Sequence, residues 1–503
     1  MTRMARGTAP AASLIDGGPT IRLRLRRQPA LRSLVAAALA ILVGCANFGV
    51  RNVPLSAWDP DYGYRATDLQ KTRPLGSVMM VLAFSGGGTR AAALSYGVLR
   101  ELRDTQVVVR GERKRLLDEV DLISSVSGGS FTSGYYGLYG DRIFEDFESR
   151  FLRRNVTGEL TRALLNPINW FRMLSPSVTR TDLAIRLYDE GIFEGATFSD
   201  LDRAGGPFIM INATDIASGS RFTFFQPQFD LICSDLSRER VARAVAASSA
   251  VPVVFEPIML RNYAGSCGYE TPDWLTDALA NPRASRRLHA EAKVEASYLD
   301  VEERPYIHMV DGGVADNLGL RAPMVTVELM GGARRFRELG VEAPDHIVVV
   351  VVDSEVSPRP LFSLQSSPPS LTEVVSAISG SQINRFTFET LALMDERIQR
   401  WVRELPVGAD GEPPQGHLVE LAFDLLEDPA DRAYFNALPT NFDLDDDQVD
   451  RLIAAARELM RTSPQYQDLL RELGGSYPCP ADDGDERCLS EQAPFGSSPL
   501  DGN

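Results

Sequence analysis

Residues 79–90 read Met-Met-Val-Leu-Ala-Phe-Ser-Gly-Gly-Gly-Thr-Arg. The short, continuous apolar run Met79–Phe84 that ends in glycines suits a strand buried in a parallel sheet. Beyond it, Ala91, Leu94, Val98, Leu99 and Leu102 recur at the spacing of one helix face. Gly86, Gly87 and Gly88 thus join a strand to a helix, leaving main-chain N–H groups bare of side chains beside the positive end of the helix dipole. Such a turn can cradle an anion. Three uses stay open from the residues alone: a tight turn, a phosphate cradle or an oxyanion hole. The phosphate-binding patterns need Gly-Lys-Ser/Thr or Gly-x-Gly-x-x-Gly, and neither is present.

The same strand–glycine–helix grammar recurs outward from this point. Val120–Val126 is a second apolar strand, followed by Ser127-Gly128-Gly129 and a helix through Tyr136. Ser127 at such a turn has the placement of a nucleophile elbow, which exposes its hydroxyl on a sharp bend flanked by small residues. The elbow pattern is Gly-x-Ser-x-Gly. Here Ser125 stands at the first glycine and Gly129 at the second, and a serine reaches positive φ less freely than glycine. A third segment, Asp311-Gly312-Gly313, follows the strand Ile307–Val310. A serine hydroxyl needs a base. His308 points the wrong way by strand parity and reads as a packed histidine. Asp311 is then the base, acting directly on Ser127, because a partly desolvated carboxylate has a raised pKa.

Further strands are expected at Phe208–Ile211, Phe222–Phe225 and Ile347–Val352, with helices at Val241–Ala250 and 323–330. Strands alternating with helices argue for an α/β sheet covered on both faces. After Asp353 the texture changes. Ser357–Ser370 reads as a loop, 371–404 as a long helix or helix pair, His417–Leu425 as an edge strand and Asp445–Arg461 as a helix. The acids Asp443, Asp445 and Asp447 have a calcium-loop start, but Gln448 replaces the required glycine and Ala454 the closing glutamate. They read as favourable charges at a helix N-terminus.

Taken together and in this order, Gly86–Arg90, Ser125–Gly129 and Asp311–Gly313 resemble the patatin-like phospholipase family, whose pattern is Gly-Gly-Gly-x-Arg, Gly-x-Ser-x-Gly and Asp-Gly-Gly or Asp-Gly-Ala. The resemblance runs over roughly 76–355 and includes Asn212-Ala213-Thr214-Asp215, Arg221-Phe222 and Ala246 through Pro252. It implies a three-layer α/β/α sandwich with a mostly parallel central sheet and, here, a helix-rich C-terminal extension over 356–503. It implies a Ser127–Asp311 dyad and an oxyanion held by N–H groups of Gly86, Gly87 and Gly88. Arg90 is implied as a positive charge near that loop, steering a phosphate headgroup or held in a structural ion pair. No metal or organic cofactor is implied in catalysis. The substrate implied is a phospholipid, lysophospholipid or other acyl ester. An acyltransferase with the same dyad and a non-catalytic envelope lipoprotein are the alternatives.

The chain has 503 residues, a net charge of −16 and a hydrophobic fraction of 44%. Such an acidic balance argues against binding nucleic acid. The charge divides unevenly: residues 1–44 carry seven arginines against Asp16, leaving 45 basic and 67 acidic residues beyond. The arginines precede the ten-residue apolar run Leu34–Val43, too short to span a bilayer but suited to a signal peptide. It ends in Leu42-Val43-Gly44-Cys45, which resembles the lipobox of bacterial lipoproteins and implies lipidation of Cys45 after removal of 1–44. Ala46-Asn47 rather than Asp then imply the outer membrane. The stretch 45–75 reads as a tether. Four cysteines remain, and sequence proximity favours Cys233–Cys267 and Cys479–Cys488 as disulfides. The histidines His289, His308, His346 and His417 are scattered and no CxxC or HxxxH spacing occurs, so no metal site is expected.

Overall fold

The computed structural model describes residues 52–66, 76–169, 179–252, 254–329, 332, 343–356, 366, 368–407 and 412–477, with the backbone alone for 371–384. The signal segment, Cys45, Cys479 and Cys488 lie outside the described residues. Among the described residues no helix is long and apolar enough to cross a membrane.

Ten strands are described: β1 Val78–Phe84, β2 Gln106–Val109, β3 Glu112–Arg115, β4 Val120–Val126, β5 Phe208–Asp215, β6 Ser220–Phe224, β7 Ile258–Arg261, β8 Tyr306–Val310, β9 His346–Asp353 and β10 Gln415–Ala422. Eight of them form one sheet in the order β10-β9-β1-β4-β5-β8-β7, with β6 also paired to β5, while β2 and β3 make a separate hairpin. From β10 to β5 the pairing is parallel, and β6, β7 and β8 add antiparallel strands on the far side.

The period of two along a strand explains the layers. On β1, Val78, Met80, Leu82 and Phe84 enter one core, and Val81 and Ala83 enter the other. On β9, Val348, Val350 and Val352 share the first core, while Ile347, Val349 and Val351 share the second. Both faces of these strands are therefore apolar, as a sheet covered on both sides requires. Helices α1 Thr89–Asp104, α2 Gly128–Tyr139, α3 Val241–Ser248, α5 Asp446–Thr462 and α6 Pro464–Glu472 cover the first face. On the second, Met394, Ile398, Trp401 and Leu405 close the layer, the first three from α4 Leu371–Glu404. The result is a three-layer α/β/α sandwich.

Two expectations about the ends of the chain are corrected. Residues 52–66 are not a free tether. Tyr64 is buried, stacks on Phe208 with ring centroids 4.4 Å apart, and accepts at its hydroxyl oxygen from the Ile209 amide at 2.7 Å. Arg65 pairs with buried Asp230, and Leu55 and Trp58 donate main-chain bonds to Cys233 and Cys267. Cys233 and Cys267 form a disulfide with Cα atoms 5.6 Å apart. The segment beyond 356 is likewise no appendage. Its strand β10 extends the central sheet beside β9, and α5 packs along α1, with Gly97 letting the backbones approach: a Cβ there would lie 2.6 Å from that of Ala456.

Candidate active site

The three sequence motifs meet at the C-terminal ends of β1, β4 and β8. Ser127 follows β4 and sits at the N-cap of α2 with φ 49° and ψ −117°. A positive φ costs an L-residue roughly 1–2 kcal/mol, and such strain clusters at functional sites. The strain belongs to Ser127 alone within the elbow. Ser125, at the pattern's first glycine, is absent from the positive-φ residues, so the substitution costs no left-handed strain. Its hydroxyl is instead shared with that of Ser133 at 2.6 Å, inside the fold.

Asp311 follows β8. Ser127 Oγ donates to Asp311 Oδ2 at 2.9 Å, and the Gly313 amide donates to Asp311 Oδ1 at 2.8 Å. Both carboxylate oxygens are thus engaged, and neither partner is a histidine. Burial pushes the Asp311 carboxyl up to about 6, with the bonds from Gly313 and Ser127 holding it lower than burial alone would. Gly312 is required by packing, because a Cβ there would lie 2.3 Å from the carbonyl oxygen of Asn212.

The glycine loop lies against the elbow. A Cβ on Gly128 would come within 2.0 Å of the Gly88 carbonyl oxygen and 2.8 Å of the Gly88 amide nitrogen. Gly88 itself has φ 64° and ψ −145°, a conformation open in practice only to glycine. The three amides are not equivalent. Gly86 N–H already donates to the Asn317 carbonyl at 3.1 Å, which corrects the expectation that all three serve an oxyanion. The Gly87 and Gly88 amides donate to no acceptor among the described residues. The N-terminus of α2 adds its positive end beside Ser127.

Arg90 departs further from expectation. It is buried, 2% exposed, and faces no solvent. It donates to the carbonyls of Ser354 at 2.9 Å and Leu438 at 2.7 Å, and to Thr440 Oγ1 at 3.0 Å. Burial lowers its pKa to about 10, with Asp353 and Glu355 opposing that shift. Arg90 is a clamp between the glycine loop and the C-terminal segment. The reading as a headgroup-steering charge is thereby withdrawn.

Several residues of the site escaped the sequence reading. Ser248, at the end of α3, accepts from the Ser127 amide at 2.8 Å and donates to the Asn212 carbonyl at 2.6 Å. Thr214 Oγ1 donates to the Asp311 carbonyl at 2.8 Å. Ser354 Oγ donates to the Gly86 carbonyl at 2.8 Å. The Asn441 carbonyl accepts from the Thr89 amide at 2.9 Å. Ser248 and Thr214 lie in segments that the family resemblance had marked. Asn441 carried no sequence signal.

Residues 82–324 match a family model described as patatin-like phospholipase. Among solved structures, human GIVD cytosolic phospholipase A2 is similar over 81% of this chain and 65% of its own, at 13% identity and a TM-score of 0.38. The same human enzyme in complex with methyl gamma-linolenyl fluorophosphonate is similar over 81% and 62%, at 14% identity and a TM-score of 0.37. The chain thus spans less than two thirds of the length of these structures. No curated protein matches the chain.

Proposed function

Since residues 82–324 belong to the patatin-like phospholipase family, we propose that this chain is a membrane-anchored serine acyl hydrolase that cleaves phospholipid or lysophospholipid esters. The observation that carries the reading is the 2.9 Å hydrogen bond from Ser127 Oγ to Asp311 Oδ2 on a strained elbow.

Asp311 takes the proton as Ser127 attacks the ester carbonyl. The developing oxyanion is held by the Gly87 and Gly88 amides, donors fixed in place before the reaction begins, with the α2 dipole beside them. Collapse of the tetrahedral intermediate expels the alcohol, protonated by Asp311, and leaves an acyl-serine. Water, activated by the same carboxylate, releases the fatty acid. A carboxylate near pKa 6 is ionised at neutral pH yet basic enough to share a proton in flight. Val314, whose amide donates to the Asp311 carbonyl, and Val251, next in sequence to the Ala250 carbonyl that accepts from the Asp311 amide, are 47% and 39% exposed, which favours an apolar acyl chain at the entrance. Lipidation of Cys45 holds the enzyme on its substrate surface at the outer membrane, since an acidic body is poorly held there by charge.

The test measures fatty-acid release from defined phospholipids and short acyl esters by the full chain, alongside Ser127→Ala and Asp311→Asn. Loss of the general base costs about 10²–10⁴ in rate. Equal turnover in all three proteins would remove the dyad. Turnover only with an added alcohol acceptor would replace hydrolysis by acyl transfer. For the anchor, labelled fatty acid is expected in the wild type and absent from Cys45→Ser.

A further inference from the structure

A second group of polar side chains converges at the opposite end of the sheet. His346 opens β9, and His417 lies two residues beyond its register partner on β10, since Gln415 pairs with His346 and His417 with Val348. His346 shares parity with Val348, and His417 with Val419, so both imidazoles face the layer that holds α5 and α6. They stand near the strands' N-terminal ends. Ser127 follows the C-terminal end of β4, roughly 20 Å away at ~3.3 Å per strand residue.

Glu472, the last residue of α6, reaches this face. Its Oε2 lies 3.0 Å from His417 Nε2 and 3.4 Å from His346 Nδ1. One ligand atom from each of the three residues lies within 4.8 Å of the others. A tetrahedral zinc ion takes imidazole nitrogen at about 2.0–2.1 Å and carboxylate oxygen at about 2.0–2.2 Å, so neighbouring ligand atoms sit about 3.3–3.5 Å apart. The two separations, 3.0 and 3.4 Å, fall at or just inside that edge length. A single hydrogen-bonded histidine–carboxylate pair accounts for one such distance. It does not account for two imidazoles, from two strands, turned onto one oxygen of a third element. Two imidazoles and a carboxylate are a donor set that zinc accepts and that calcium and magnesium, which take oxygen ligands, do not. Beside them lies a cavity lined by Gln415, Ser463, Gln465 and Asp468, which leaves a fourth coordination position room.

We propose that His346, His417 and Glu472 form a zinc site that staples α6 to the edge of the central sheet. The histidines lie 71 residues apart in sequence, and no local spacing betrays them. The site is remote from the dyad, so its role is to fix α6 rather than to polarise substrate.

Zinc titrated calorimetrically into the full chain in detergent, stripped of metal beforehand, is expected to bind at one equivalent and to raise the melting temperature. Glu472→Gln, which keeps shape at a half-exposed position, and His417→Ala are each expected to weaken binding at least about tenfold, the loss that even outer-shell changes bring. His289→Ala and His308→Ala are expected to bind as the wild type does. Cobalt in place of zinc is expected to give tetrahedral visible bands without thiolate charge-transfer absorption. The proposal is overturned by no saturable binding to the wild type, or by unchanged affinity in both site variants. Thiolate bands would overturn it too, because they would place the metal on the cysteines. None of these outcomes bears on the dyad, so the two proposals fail separately.

Discussion

The hydroxyl of Ser248 accepts the amide proton of Ser127 at 2.8 Å and passes its own proton to the carbonyl of Asn212 at 2.6 Å. It thereby ties the strained elbow to β5, the strand beside it. Replacing Ser248 by Ala leaves a buried N–H without its acceptor, a cost of about 1–3 kcal/mol. Some of that appears as a misplaced nucleophile. The expected result is a drop of about tenfold to a hundredfold in kcat on a short acyl ester, with far-ultraviolet circular dichroism unchanged. Labelling of Ser127 by a fluorophosphonate should slow in step. Wild-type labelling rates would show that the tie is structural only.

Asp311 is expected to set the pH dependence of activity. Its carboxyl is pushed up to about 6 by burial, and only the ionised form can take the Ser127 proton. The kcat/KM of the wild type is therefore expected to fall as pH drops through about 6 and to be flat above about 7. A profile level from pH 5 to 8 would contradict this assignment.

The same shift has an opposite effect on stability. A carboxyl whose folded pKa lies above its unfolded value favours the native state while protonated, and that advantage is lost as pH rises through about 6. At pH 8 the charged group disfavours folding by up to about 3 kcal/mol. Asp311→Asn, though inactive, is expected to withstand more denaturant than the wild type at pH 8. The difference should shrink towards pH 4. Urea unfolding at the two pH values measures it.

Gly88 cannot carry a side chain. Its φ is positive, and a Cβ would lie 2.2 Å from the Asn441 carbonyl oxygen. Gly88→Ala must therefore move the loop off the elbow and misdirect the two free amides. Loss of one oxyanion donor costs about 10²–10³ in rate, and a loss of this size is expected on ester substrates. Gly86→Ala is a sharper comparison, because that amide is already bound to Asn317 and its change acts through crowding alone.

Arg90→Met removes a buried cation that holds two carbonyls and a hydroxyl. Leaving such buried acceptors without a donor costs about 1–3 kcal/mol each. The variant is expected to melt lower. Residual activity, measured below that melting point, should keep the wild-type ratio between anionic and zwitterionic phospholipids. A changed ratio would return Arg90 to a headgroup role.

The parts of this fold that were legible in the sequence are those with a local signature. β1, β4 and β9 are continuous apolar runs, and the turns after β1, β4 and β8 carry glycines that only close backbone approach demands. These turns hold Ser127, Asp311 and the Gly86–Gly88 loop. The rest depends on topology. Asn441, Leu438 and Thr440 look like ordinary loop residues, and only the packing of α5 along α1 brings them to the glycine loop. Residues 52–66 have prolines and no period, yet Tyr64 and Arg65 find partners on β5 and beside the disulfide. His346 and His417 sit in strands whose pairing the sequence does not announce. Arg90 misled for a related reason: a cation beside an anion-binding loop suggests a ligand until its carbonyl partners are known.

The link from Arg90 to the Leu438 carbonyl spans 348 positions of the chain. At about 5–20 residues per second, a ribosome delivers Leu438 roughly 20–70 s after Arg90. The serine, the aspartate and the glycines are all made well before the segment that clamps them. Until Leu438 and Asn441 are made, the Gly86–Gly88 loop therefore lacks the contacts that fix it. Assembly order alone thus postpones the setting of this loop to the last stage of synthesis.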